Sequence, residues 1–262
     1  MSFGRCPIIR TRIVSGALAL VTLLMSCPAP SAMPPSRAGE AMAFDVYWID
    51  LLVGKLAVSN LGARTRGGQE CHQVEAHART TGSIENLYSA QYKFLGYLSP
   101  SGKPWLYEEW EKKKRWELDG WLEISPNEGL VRRYNRKGLR GELAVPEGTY
   151  DPVSAGVCFL QRDLRIGECF ELPVTDGKDV YTAIGEVSRG PALETLFGTM
   201  DTLEVSPQLL WQGKPVGKRA YKIWLTADGR SIPVKILVDI EFGSFSANLV
   251  NYRPPAENSA LR

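Results

Sequence analysis

The residues of this 262-residue chain with most chemical scope are five cysteines, two histidines and a group of tryptophans set beside lysines. Cys6 and Cys27 lie near the start, which leaves Cys71, Cys158 and Cys169 in the body of the chain. No two cysteines form a CxxC pair, and His72 and His77 are five residues apart. On one strand that offset sends the imidazoles to opposite faces, so a zinc site with ordinary ligand spacing is not expected. In an oxidising compartment Cys158 and Cys169 make the best disulfide pair, closing a loop of about a dozen residues worth about 3 kcal/mol. Bridges from Cys71 to either one stay open as alternatives.

Nucleophilic and acid–base sets are missing. No Gly-x-Ser-x-Gly elbow surrounds any serine, and Ser154 reads as a first-turn helix residue. Glu108, Glu109 and Glu111 stand close to Lys112, Lys113, Lys114 and Arg115, the pattern of a solvated strand face. No glycine-rich phosphate loop precedes a helix, so no cofactor is indicated and the expectation is a protein that is not an enzyme. Trp105, Trp110, Trp116 and Trp121 flank the lysine run. On a regular strand Trp110, Lys112, Lys114 and Trp116 share one face, which could stack on sugars or meet lipid headgroups. The bland alternative is an exposed strand whose lysines prevent edge pairing. Under either account Asp119-Gly120 is the expected hairpin tip.

The elements that must position these residues are mostly strands. Period-two patterns and short apolar runs occur near 44–49, 53–60, 71–79, 89–95, 105–111 and 114–123, with nine more between 129 and 251. Gly67-Gly68, Asn127-Glu128-Gly129, Asp176-Gly177 and Asp228-Gly229 supply turns between them. One helix is expected, from Pro152 to about Leu164, capped by Asp151 and closed by Gly167. Val153, Val157, Leu160 and Leu164 would form its apolar face. The fold class is therefore mainly β, a large antiparallel curled sheet or incomplete barrel with one short helix near 152–164 as plug or connector. Residues 44–252 read as a single domain, and the polar residues 253–262 as a tail.

Ahead of the domain, Arg5, Arg10 and Arg12 precede an uncharged run from Ile13 to Met25, the layout of a secretory signal peptide over residues 1–26. A bilayer-spanning helix needs about 20 apolar residues, more than this run holds. Leu24-Met25-Ser26-Cys27 is similar to a bacterial lipobox, which makes Cys27 the expected lipidation site. Ordinary cleavage near Pro30-Ser31-Ala32 would instead release a soluble periplasmic protein. The proline-rich stretch that follows Cys27, to residue 43, reads as a tether. Lys+Arg 31 against Asp+Glu 29 gives net charge +2, and removing residues 1–26 takes three arginines and no acid, leaving −1. Such a balance excludes phosphate neutralisation as the main task, so nucleic acid is not an expected partner.

Three stretches carry a family resemblance. They are Val46-Tyr47-Trp48-Ile49-Asp50-Leu51-Leu52-Val53-Gly54-Lys55-Leu56, then Tyr150-Asp151-Pro152-Val153-Ser154-Ala155 with Leu160-Gln161-Arg162, then Ile223-Trp224-Leu225-Thr226-Ala227-Asp228-Gly229-Arg230-Ser231-Ile232-Pro233-Val234-Lys235. Together they resemble the bacterial envelope family designated domain of unknown function 3108. The resemblance implies a secreted or lipid-anchored β-rich protein of no established activity and transfers no catalytic residue. Gly156-Val157-Cys158 departs from the aromatics usual in that family's middle motif. With the strand count, these features point to a non-enzymatic periplasmic or outer-membrane lipoprotein that holds a lipid or other amphipath in an apolar interior. A structural or adaptor protein that binds an envelope protein or glycan is the alternative.

Overall fold

The computed structural model describes residues 37–256 apart from 83, 115, 126, 218, 219 and 242. The expected signal peptide over residues 1–26, the expected lipidation site Cys27 and the residues from 257 onward lie outside the described residues. The first half is an antiparallel meander of β1 (Ala41–Trp48), β2 (Leu51–Arg66), β3 (Gln69–Thr80), β4 (Ala90–Leu98), β5 (Pro104–Lys113), β6 (Trp116–Ser125), β7 (Leu130–Asn135) and β8 (Gly138–Ala144), with a one-turn α1 (Ile84–Leu87). Helix α2 (Pro152–Leu160) follows. The second half comprises β9 (Cys169–Thr175), β10 (Val180–Arg189), the small hairpin of β11 (Leu193–Thr195) and β12 (Gly198–Met200), β13 (Thr202–Val205), β14 (Gln208–Trp211), β15 (Lys214–Pro215), β16 (Ala220–Thr226), β17 (Pro233–Ile240) and β18 (Gly243–Arg253).

Apart from the small hairpin, these strands form one 16-stranded sheet whose halves join where β1 pairs with β18. From that seam β1 to β8 run outward one way, and β18, β17, β16, β13 and β10 the other, with β9 and β14 flanking β10. The sheet curls without closing. Between the edges β8 and β9 the chain is stitched by Tyr150, whose N–H donates to the Pro173 carbonyl and whose own carbonyl accepts from Thr175, each at 2.9 Å. Gly177, at φ 76° in the β9–β10 turn, packs from the far half onto Leu122 and Arg133, where even a Cβ would lie 2.3 Å from a Leu122 methyl.

Alternation builds the concave face. Ala90, Tyr92 and Phe94 of β4 are buried and so are Ile223 and Leu225 of β16, while most of their strand neighbours are partly open. Two apolar clusters result: one contains Phe44, Leu56, Phe170, Leu172, Ile223 and Val238, the other Val74, Phe94, Tyr107, Leu122 and Val131. Helix α2 wedges between them, giving Ala155 and Phe159 to the first and Val153 to the second. The expected helix is thus present but ends at Leu160, short of the expected Leu164. Arg162 N–H turns back to the Phe159 carbonyl, and Leu164 enters the core from the following loop.

Other boundaries also move. β1 begins at Ala41, and Gly39 N–H donates to the Asn60 carbonyl, so the expected tether yields its last residues to the sheet. At the other end Arg253 pairs with Ala41 inside β18, and Ala256 N–H reaches the Ala38 carbonyl. Asp119-Gly120 is not a turn: it lies within β6, and the hairpin tip falls between Lys113 and Trp116. That register sets Leu122 opposite Tyr107 in the core and Lys112 opposite Glu117 outside, whereas a turn at Gly120 would break both pairs.

Candidate functional site

The site begins with the seating of α2. Asp151 lies just before the helix and one carboxylate oxygen accepts from Val153 N and Ser154 N, each at 2.9 Å, as an N-cap should, with Pro152 in the first turn. The helix start rests on β4 at Gly96, where a Cβ would sit 3.1 Å from both Val153 Cγ1 and Ser154 Oγ. Asp151 is fully buried, and that burial raises its carboxyl from 3.8 to about 6 despite the two amide donors that favour the ionised form.

Beneath α2, where the two apolar clusters meet, lies a hollow of about 80 Å³. Phe44, Leu56, Val74, Ala76 and Ile236 line it from the sheet, and Val153, Val157 and Leu160 from the helix. Its charged rim is a clasp. Arg37 donates through Nη1 to the Leu160 carbonyl at 3.0 Å, and through Nη2 to Glu40 Oε1 at 2.6 Å and the Arg230 carbonyl at 3.1 Å. Tyr252 Oη donates to the same Glu40 oxygen at 3.0 Å. Burial raises the Glu40 carboxyl, with Arg37 opposing. One guanidinium thereby ties the C-terminal turn of α2 to the strand seam, and the arrangement suits an apolar group inside with a polar group at the mouth.

Outside, β4, β5 and β6 form a wall whose register is fixed. Lys93, Trp110 and Asp119 stand in one row across the three strands, and Leu95, Glu108 and Trp121 in the next. They enclose a shallow pocket of about 180 Å³. Trp110 Nε1 donates to Glu117 Oε1 at 3.0 Å, and the Trp121 ring stacks on Tyr134 at 5.3 Å and 7°.

A family model described as protein of unknown function (DUF3108) matches residues 43–250, from within β1 to within β18. The chain belongs to the DUF3108 family. No curated protein matches it. Among solved structures, this DUF3108 chain is similar to a β-barrel-like protein of the DUF1849 domain of unknown function from Brucella abortus. That match has a TM-score of 0.56 and 12% identity, covering 85% of this chain and 98% of the other. Weaker likenesses are to a protein described as exported, with a YmcC-like fold, from Bacteroides fragilis (TM-score 0.34, 10% identity, 86% and 100% covered) and to one described as a lipoprotein from Parabacteroides distasonis (TM-score 0.32, 10% identity, 85% and 99% covered). The Brucella abortus protein shares the fold. Among the described residues of the DUF3108 chain, no helix is long and apolar enough to cross a membrane, and no group of three or more His, Cys, Asp or Glu is placed to hold a metal ion.

The residues singled out in the sequence separate. Cys158 is a thiol and is not bonded to Cys169. Phe159 and Phe170 meet edge-on at 5.7 Å, and strand alternation turns Cys169, the neighbour of Phe170, to the exposed side. Cys158 is half-buried near Tyr150, and desolvation pushes its thiol up to about 12. Trp110 and Lys112 do share the outer face, but Trp116 lies opposite Lys113 on the other face, with the Lys113 ammonium 5.2 Å from its ring. Lys114 belongs to the turn. β5 and β6 are both interior strands, so the lysines guard no sheet edge.

The expected solvated carboxylate face is also split. Glu108 points outward, where Tyr97 Oη donates to it at 2.8 Å and Arg66 pairs with it. Glu111 is 5% exposed on the concave side, in an ion pair with Lys113 at 2.5 Å. Glu109 faces the same way, and burial raises it to about 6 while Lys178 opposes. The signal that could have placed them is the alternation Tyr107-x-Glu109-x-Glu111 in phase with a core tyrosine.

Proposed function

We propose that this chain is a non-enzymatic envelope protein, exported and tethered through lipidated Cys27, that holds the apolar end of an amphipathic ligand beneath α2. The carrying observation is the hollow at the junction of the two cores, walled by aliphatic and aromatic side chains and rimmed by Arg37 and Glu40. Its size sets a condition. At about 80 Å³ it is about half the ~150 Å³ of an engineered cavity that takes up benzene, so a long alkyl chain enters only as α2 lifts. Release of Arg37 from the Leu160 carbonyl would free the C-terminal turn for that movement.

The test is titration of delipidated protein with 11-(dansylamino)undecanoic acid. Saturable fluorescence enhancement is expected, and Val157→Phe, which fills the hollow, should remove it while the thermal transition persists. Protein that takes up no dansyl probe, and yields nothing to organic solvent when purified from its native membrane, overturns the proposal.

A further inference from the structure

We infer that the outer wall of β4, β5 and β6 carries a saccharide-binding subsite at Trp110 and Trp121. Glu108 and Trp110 are alternate residues of β5, and opposite them on β6 stand Trp121 and Asp119. The four make a checkerboard in which two indoles occupy one diagonal and two carboxylates the other, with Lys93 beside Trp110 and Leu95 beside Glu108. Diagonal neighbours on adjacent strands are close enough for aromatic side chains to work together. The Trp121 ring is held flat by Tyr134, and Trp110 is fixed by its bond to Glu117.

A pyranose matches this pattern. Its C–H face is weakly positive and lies on the negative face of an indole, while its equatorial hydroxyls need donors and acceptors arranged around that contact. Glu108 and Asp119 accept, and Lys93 donates. An organic cation fits less well. Both carboxylates are already paired, Glu108 with Arg66 and Asp119 with Arg136 at 2.8 Å, and the Lys93 ammonium stands at the pocket, engaged by Glu75 at 3.2 Å. A neutral polyhydroxylated ligand uses the remaining lone pairs without separating these pairs. The subsite is on the convex side and does not rest on the hollow: failure of alkyl uptake leaves it intact.

The experiment uses the full mature chain with N-acetylglucosamine tetramer and maltotetraose, followed by intrinsic tryptophan fluorescence and by saturation-transfer NMR. Saturable binding of either sugar is expected. Trp121→Ala should weaken it about tenfold, the loss of a stacking contact, while Trp116→Ala, on the opposite face, leaves it unchanged. Glu108→Gln gives an independent reading if Trp121→Ala does not fold, and should also weaken binding. No saturable binding of either sugar, equal weakening by Trp116→Ala, or binding of tetramethylammonium in place of sugar overturns the proposal. A protein captured at this wall by crosslinking, with no sugar bound, overturns it as well.

Discussion

Asp151 makes folding stability depend on pH in a direction opposite to that of an ion-paired carboxylate. Its folded value of about 6 lies above the ordinary 3.8, because a carboxylate with no exposure is costly to ionise. Between those values the folded chain holds a proton that the unfolded chain has lost, so stability rises as pH falls through 6 and levels off below about 3.8. The full interval is worth about 3 kcal/mol, and the part realised between pH 7 and 5 is about 1 kcal/mol. Glu109, raised from 4.5 to about 6, adds a similar amount over the same range. Asp151→Asn keeps a carbonyl to accept from Val153 and Ser154 but cannot titrate. Urea unfolding at pH 7 and pH 5 should show the wild-type protein gaining about 2–3 kcal/mol on acidification and the variant about half of that. An equal gain in both proteins would refute the assignment, and so would a wild-type protein that loses stability over this range. Glu204 and Asp228, whose carboxyls are lowered, act with the reverse sign, and their contribution falls away only in more acidic solution.

Three further outcomes are expected. Phe159→Ala removes a fully buried ring that meets Phe170 at the waist of the core and should cost about 3–5 kcal/mol in urea unfolding. Gly96→Leu forces side-chain atoms against Val153 and Ser154 and should cost about 1–3 kcal/mol, with near-ultraviolet circular dichroism reporting any displacement of α2. Iodoacetamide should label Cys158 much more slowly in native protein than after denaturation, since its thiol is half-buried and pushed up to about 12; a Cys158–Cys169 peptide in a non-reducing digest would contradict this.

Period-two patterning and turn chemistry made the β class and the curled sheet legible, and Asp151-Pro152 announced the helix start because capping is local. What escaped was set by register or by distance along the chain. Asp119-Gly120 is a strong turn signal in isolation, but the core demand of Leu122 and Ile124 overrode it and placed the tip earlier. Glu109 and Glu111 share the face of Tyr107 by alternation, and the charge run that follows them masked that signal. Cys158 and Cys169 are close in sequence, yet the aromatic pair one residue further on decides where their elements touch. The hollow was foreseeable as a consequence of curling, but its clasp was not: Glu40 and Tyr252 are 212 residues apart, and Arg37 reaches 123 residues to Leu160.

The β1–β18 seam also governs the order in which the molecule is built. A chain threaded from its N-terminus can assemble β1 to β8 as each hairpin is delivered, because every ladder in that half joins sequence neighbours. β1 then waits with one open edge, for its second partner is the last strand to arrive. Closing so long a loop comes late and slowly, and until it closes the waiting strand is a template for any other extended segment.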